Sequence, residues 1–577
     1  MKPKSYLHGA EELRAARRQS RGLYWFVALF SFFANLLMLT GPLYMLQVYD
    51  RVLGSRSEQT LVALSLLVVF LYGVMGILDY TRGRVMSRAG ARFQEALDQR
   101  VFDAMVRRSA VAQDPVAQTG LADLESVQRF IASPVAMAIF DMPWTPIFLF
   151  AIAIFHPWLG LLAVVGGALL IAITGFNQLF SRKPALHAAI ANNRASKMGD
   201  EIRTEAETIQ SMGMRGAAFG RWRKARLASL NDGLTAGDVM GRFSTLTKTL
   251  RLFLQSAMLG LGAYLVLQGE VTPGAMIAAS ILMGRALAPV EMMVNQWQVV
   301  QRALKGWSGL SELLEKVPPE NKRMDLPKPK AKLDVQSLTV VPPGDTRAQL
   351  KTVSFTVQPG QAVGVIGPSG SGKSTLARAL TGVWRPAGGT VRLDGAALDQ
   401  YDADVLGQHI GYLPQRVQLF EGTIAENIAR LSGTPDPEKV VAAATKAAVH
   451  EMILQLPDGY DTHITAGGGR LSGGQMQRVG LARALYDDPV IVILDEPNSN
   501  LDNEGSVALN KAIRSLKEAG KSVLIMAHRP AAIAECDMLL VLDHGTRVAF
   551  GPKDKVLREM VTNHQVIQQN KTMGGVR

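Results

Sequence analysis

The chain has 577 residues, of which 48% are hydrophobic and 19% charged, and its net charge is +13. That balance excludes a disordered chain, which would hold too few apolar groups to offset the entropy of ordering. A single cysteine, Cys536, excludes an intrachain disulfide framework and a cysteine-based zinc cluster. In chain order, residues 1–22 form a basic tail with Lys2, Lys4, Arg14, Arg17, Arg18 and Arg21. Six apolar stretches follow, at about 23–49, 60–79, 130–155, 157–180, 252–269 and 271–290. Each is close to the roughly 20 residues that a helix needs to cross a bilayer core. Soluble helices keep a polar face, and these stretches have none. The first is too long for the apolar part of a signal peptide, and no small-residue cleavage pattern follows it.

The links between the stretches are of two kinds. The turns near 50–59, His156-Pro157 and Glu270 are short, whereas 81–129 and 177–251 are long and charged. Arg82, Arg84, Arg88, Arg92, Arg100, Arg107 and Arg108 crowd the first long link. Positive charge collects on the cytoplasmic side of membrane proteins, so the tail and both long links are placed there. Much of the +13 is thereby explained as topology, and nucleic acid is not expected as a partner because no basic–aromatic interleaving accompanies it. The long links have helical spacing, as in Arg92 to Phe102, so the spans are expected to continue beyond the membrane as helices. Gly120 and Gly213/Gly216 are the expected reversal points. Asp141 lies inside an apolar stretch, where a charge is costly unless it is paired or faces water. With Arg285 it is a candidate for the transport path or for an ion pair. Pro143 and Pro146 are expected to kink the same span. Asp50 and Arg51, at the outer end of the first span, form either an interfacial pair or a docking point.

The composition changes at residues 316–332, a linker marked by Pro318, Pro319, Pro327 and Pro329. Residues 333–570 alternate short apolar strands with helices, as in a soluble α/β domain, and 571–577 form a tail. The strand Ala362 to Ile366 runs into Gly367-Pro368-Ser369-Gly370-Ser371-Gly372-Lys373-Ser374-Thr375. This fits G-x-x-x-x-G-K-[ST], in which glycines let backbone N–H groups wrap phosphates at a helix N-terminus. Lys373 is assigned to the β- and γ-phosphates and Ser374 to a Mg²⁺ ion. A second apolar strand, Val490 to Leu494, ends in Asp495-Glu496. Ligands bind at such carboxyl ends in parallel sheets. Asp495 is assigned to the metal, and Glu496 to polarising the attacking water. Cys536 lies among apolar residues and reads as a packing group.

Leu471-Ser472-Gly473-Gly474-Gln475 lies between these motifs, and the full order resembles an ABC-transporter nucleotide-binding domain. The resemblance covers residues from about 333 to the C-terminus. It implies that Gln415 is the loop glutamine at the Mg²⁺ ion. It implies that Ser499-Asn500-Leu501-Asp502 crosses between two ATPase domains, and that His528 is the switch histidine at the γ-phosphate. In that family the signature faces the phosphate loop of the other subunit. One such domain with six spans makes half a transporter, and a C₂ homodimer is the simplest completion, with a heterodimer as the alternative. The expected fold is therefore a six-helix all-α transmembrane domain of the type I ABC exporter kind, followed by an α/β P-loop ATPase. Two departures stand out. Leu338 to Pro343 offers no aromatic to stack on adenine, so Val340 or Val341 is the expected contact, and Ala466 stands where exporters often carry a glutamate. Short helices pressing on the ATPase are expected near 114–124 and 210–219.

Leu39 to Leu53, Asp141 to Pro146 and Val340 to Gly344 resemble the protease-secreting (PrtD-like) branch of type I secretion permease/ATPases. Only a short tail precedes Leu23, too short for the peptidase domain of other branches. The resemblance implies a bacterial inner-membrane exporter of an unfolded polypeptide with a C-terminal signal. It further implies a periplasmic adaptor, an outer-membrane channel, membrane lipid as surroundings, and ATP with Mg²⁺. The alternatives are export of a lipid or small amphiphile, and a non-transporting ATP-gated scaffold or channel.

Overall fold

An apolar helix that no protein surface covers must be covered by something else. The most apolar stretch of Glu58–Val111 has none of its residues buried within the protein. The computed structural model describes residues 9–112, 114–320, 323, 326–465, 469, 471–501, 503–527 and 530–559. Two units emerge, Met1–Ser109 with Gln113–Pro319, and Glu320–Arg577 with Ala110–Ala112.

Among the described residues of the first unit, five helices are long and apolar enough to cross a membrane: Arg21–Ser55, Glu58–Val111, Pro157–Thr204, Arg215–Leu267 and Pro273–Asn295. A sixth crossing is the pair Pro134–Asp141 and Trp144–Phe155, bent by 49°. The break falls at Met142-Pro143, where proline cannot donate to the preceding turn. Glu58–Val111 has 54 residues. At 1.5 Å per residue a helix of that length is about 80 Å long, well beyond a bilayer core of about 30 Å. Helices of 48 and 53 residues, Pro157–Thr204 and Arg215–Leu267, pack along one another in the same way.

The reversals differ from expectation in two places. In the first long link one helix ends at Val111 and the next begins at Pro115, where Asp114 accepts from Val116 N at 3.1 Å and caps the helix Pro115–Ile131. Gly120 lies inside that 17-residue helix, and a Cβ there would meet Met105 Sδ at 2.8 Å and Leu313 Cδ2 at 3.0 Å. It is a close-packing glycine rather than a turn, and 114–124 is no separate short helix. The second link does hold one, Ala206–Ser211, followed by Gly213 at φ +66°. Residues 215–219 already belong to the next long helix.

The first span contains a π turn at Val48–Val52. The carboxylate of Asp50 accepts from Thr272 Oγ1 at 2.6 Å and from Gly274 N at 2.8 Å. Asp50 thus caps the helix Pro273–Asn295 instead of pairing with Arg51. Asp141 does not pair with Arg285 either, which is exposed. Its Oδ1 accepts from Arg82 Nη1 at 2.7 Å and from Asn35 Nδ2 at 2.6 Å. Arg82 is 7% exposed and also reaches Ser31 Oγ at 3.1 Å. This buried cluster ties the first three spans together beside the break in the third.

The second unit holds two principal sheets. Leu333–Val340, Leu350–Val357, Gly388–Leu393 and Ala396–Ala397 form an antiparallel sheet. The larger sheet runs, edge to edge, Thr546–Pro552, Met538–Asp543, Ala362–Ile366, Ser522–Met526, Ile491–Asp495, Ile410–Leu413. All neighbours in it are parallel except the pair at the Thr546–Pro552 edge. Ile491–Asp495 and Ser522–Met526 are buried at every residue, as expected for strands covered on both faces.

Candidate active site

The register of the parallel sheet assembles the site. Met526 lies level with both Val365 and Asp495, and Leu413 with Leu494. The segments after Ile366, Leu413 and Asp495 therefore leave the sheet at one edge. Those segments carry the phosphate loop, Gln415 and Glu496, residues scattered over more than a hundred positions of sequence.

The loop needs its glycines. Gly370 and Gly372 have φ of +78° and +99°, and a Cβ on Gly367 would meet Leu542 O at 2.1 Å. Gly372 leads into the helix Lys373–Leu380, so Lys373 and Ser374 occupy its first turn. Lys373 is 5% exposed and folds its ammonium inward, donating to the carbonyls of Gly367 and Pro368, both at 2.9 Å. Burial pushes its pKa down, against the pull of Glu496 and Asp495. Thr375 turns the other way and donates to Gln349 Oε1 at 2.7 Å.

Asp495 is 2% exposed. Burial raises its pKa, and the charge of Glu496 raises it further, while a hydrogen bond from Ser374 opposes both. Its Oδ1 is buried with no hydrogen-bond partner among the described residues. The two shifts have one meaning. A cation beside Asp495 and an anion beside Lys373 would each relieve a charge that burial disfavours. Gln415 Nε2 donates to Glu496 Oε2 at 3.0 Å, which fixes the glutamate's orientation. Glu496 itself sits at φ +50°, an uncommon setting for a non-glycine residue, and its N–H donates to Met526 O at 2.9 Å. The backbone twist turns Glu496 away from the strand that ends at Asp495.

Ser472 N-caps the 13-residue helix Gly473–Leu485 in a reciprocal box. Ser472 Oγ accepts from Gln475 N at 3.3 Å, and Gln475 Oε1 accepts from Ser472 N at 2.8 Å. Ser472 and Gly473 are exposed, as are Ser499 and Asn500, whereas Leu501 is half-buried against the core. One residue that motif reading passed over, Gln477, joins these segments. Gln477, 2% exposed, donates to Pro497 O at 3.1 Å and accepts from Asn500 Nδ2 at 3.3 Å. A Cβ on Gly474 would meet Asn500 O at 2.8 Å. Gln477 lies two positions beyond the signature, and that spacing was the available signal. Asp502, His528 and Ala466 lie outside the described residues. Val340 is fully buried in the core of the antiparallel sheet and offers no surface to a base, which corrects that expectation. Val341, half-buried, keeps some exposed surface. Cys536 is 3% exposed, and burial pushes its thiol up to about 12, which agrees with packing.

Residues 24–289 match the family model described as ABC transporter transmembrane region, and residues 350–499 match that of ABC transporter. A type I secretion system ATP-binding protein, PrsD, from Rhizobium meliloti is 43% identical over 96% of both chains. The chain belongs to the ABC transporter family. An ABC protein of this build binds ATP and couples its hydrolysis to transport, and it is a multi-pass membrane protein. An ATP-dependent lipid A-core flippase from Pseudomonas fluorescens is 33% identical over 72% of this chain and 69% of its own. The cyclolysin secretion/processing ATP-binding protein CyaB of Bordetella pertussis is 27% identical over 92% of this ABC chain and 75% of its own. Among solved structures, a bacterial Atm1-family ABC exporter with ATP bound shares the fold. Its TM-score is 0.77 at 24% identity, covering 93% of this chain and 96% of that one.

Proposed function

We propose that this ABC protein is the ATP-driven inner-membrane exporter of a type I secretion system, acting as a homodimer on an unfolded polypeptide with a C-terminal signal. The observation that carries the ATPase part is the convergence of Lys373, the Ser374–Asp495 pair and the Gln415–Glu496 pair at one sheet edge. In this reading the phosphate loop and Lys373 hold the β- and γ-phosphates. Glu496, oriented by Gln415, accepts a proton from the water that attacks the γ-phosphate. His528 is assigned to the γ-phosphate and Asp502 to the crossing between subunits, by family resemblance. The orphaned Asp495 Oδ1 beside the Ser374 hydroxyl fits a hard divalent cation. Ser374, Asp495 and Gln415 would hold Mg²⁺, which neutralises phosphate charge when bound.

The exposed N-terminus of Gly473–Leu485 is a second anion-binding end. It is assigned to the nucleotide on the partner copy, so that ATP draws the two ATPase domains together. The basic tail and long helical links are placed in the cytoplasm with the ATPase. A periplasmic adaptor and an outer-membrane channel complete the route. The polypeptide cargo rests on the full-length likeness to the Rhizobium meliloti protein. A lipid or amphiphile cargo is the second reading, favoured by the likeness to the flippase.

Reconstitution in vesicles separates the readings. Glu496→Gln is expected to retain ATP binding and lose turnover; continued multiple-turnover hydrolysis contradicts the assigned base. A pull-down from cells holding Glu496→Gln is expected to bring down a polypeptide and an adaptor. Lipid flipping by the purified protein, with no polypeptide required, supports the second reading instead.

A further inference from the structure

A cavity of about 600 Å³ lies where the first and third spans begin. Its rim carries Arg17 and Arg18 from the last turn of the helix Gly9–Gln19, and Arg21 from the first turn of the span Arg21–Leu37. Its walls are apolar, with Tyr24 on the same span as Arg21, and Met86, Phe130 and Phe140 from other helices. Among the described residues no acidic side chain lines it. The short helix Gly9–Gln19 is held in place by Leu13 and Ala16, which are buried. A Cβ on Gly9 would meet Ser311 O at 2.2 Å, so this helix is seated closely against Trp297–Lys316. Arg17 is braced with its Cζ 6.0 Å from the Trp307 ring. The apolar lining continues outward to Trp25, 75% exposed, and Ile139, 47% exposed, which stand largely uncovered by the described residues.

We propose that this cavity binds an anionic phospholipid, its phosphate held by Arg17, Arg18 and Arg21 and an acyl chain lying on the apolar wall. Charge and polarity argue for that occupant together. Three guanidinium groups without a carboxylate among them select a phosphate. The aromatic wall and the exposed Trp25 and Ile139 select hydrocarbon. The position, at the start of two spans, is where a headgroup lies. Basic pockets between spans on the cytoplasmic side recognise anionic headgroups in the same way. The inference rests on the cytoplasmic placement of the basic tail proposed above.

The full chain is placed in nanodiscs of phosphatidylcholine with a minority of phosphatidylglycerol, and the lipids it keeps are counted by native mass spectrometry. The wild type is expected to keep phosphatidylglycerol well above its bulk fraction. Replacing the arginines by glutamine is expected to weaken retention about five-fold each, and R17K/R18K/R21K is expected to keep the preference. Ala28→Trp fills the cavity without touching the charges and is expected to lose the lipid, which reads the cavity even if the glutamine variant misfolds. Lipids retained in the bulk ratio by the wild type would overturn the proposal, as would equal retention by A28W. The assay contains no nucleotide or cargo, so it can fail while the exporter reading stands, and the exporter reading can fail while it succeeds.

Discussion

The two units of this transporter solve one problem, the placing of charge away from water, in opposite ways. In the ATPase, Lys373 donates to the carbonyls of Gly367 and Pro368 but is bonded to no carboxylate among the described residues, and the buried Asp495 has an incomplete partner set. Burial disfavours the charged state of each, and one oxygen of Asp495 has no partner among the described residues. In the transmembrane unit the buried Arg82 is paired with acids of the same unit. Arg82 and Asp141 bond to each other at 2.7 Å, and Asn35 and Ser31 take up further bonds. The first arrangement stores a demand that a ligand meets, whereas the second closes on itself and holds helices together. Burial alone therefore does not mark a functional charge; what separates the two is whether an opposite charge within the protein is bonded to it.

Substitutions can break that comparison, and the largest effect is expected in the ATPase. Glu496→Gln removes the assigned general base, and steady-state ATP hydrolysis is expected to fall on the order of 10²–10⁴-fold, with nucleotide binding kept. Next comes Arg82→Met, which leaves Asp141 buried without its cation. Such a break costs about 3–5 kcal/mol, read as a lower unfolding midpoint in detergent. The double variant Arg82→Met/Asp141→Leu, which leaves only the partly exposed Asp79 without its cation, is expected to recover much of that loss. If the single variant matched the wild type, the pair would hold nothing together. Asp50→Ala removes a helix cap between the first and last spans, and the expected loss is about 1 kcal/mol.

The smallest effect is a shift in pH dependence at Asp495. Its pKa is raised, so a proton competes with the metal–nucleotide complex at a pH above the ordinary aspartate value of 3.8. Affinity for Mg²⁺–ATP is expected to fall as pH drops through that raised pKa, and Asp495→Asn is expected to flatten the profile. The folding sign is consistent with this. Below 3.8 the group is protonated in both states and costs nothing. The cost of burying it is complete above its folded pKa, where only the ionised form remains. A wild-type affinity independent of pH down to 3.8 would remove the claim of unmet demand.

The same contrast explains what could be read before the structure. The phosphate loop is nine consecutive residues whose chemistry depends on local backbone geometry, so Gly367 to Thr375 was legible as written. Asp495 and Glu496 were legible because a short apolar strand ends at them, and parallel strands deliver their carboxyl ends to one edge, whereas Gln415 was read only through the family resemblance. The membrane contacts have no such local signal. Asp141 finds Arg82 at a sequence separation of 59, while Arg285, equally basic, is exposed. Only the packing of three helices decides between them. Gly120 was misread for a related reason: a glycine within a charged link has the same composition whether it reverses the chain or admits Met105 and Leu313. Val340 was misread although a signal existed. Leu333, Val335, Leu338 and Val340 are the buried positions of one strand, and that pattern sends Val340 into the core.

The central claim is that nucleotide is held jointly by the phosphate loop of one copy and the signature helix of another. Two variants test it, Ser369→Cys and Ser472→Cys, since the native Cys536 is buried and its thiol is held near pKa 12. Each is combined with Glu496→Gln, and the two proteins are mixed, reconstituted and oxidised with and without ATP. The account predicts an ATP-dependent disulfide between different chains, absent when either variant is alone. A protein that stays monomeric with ATP bound, or mixed chains that never crosslink, would contradict it.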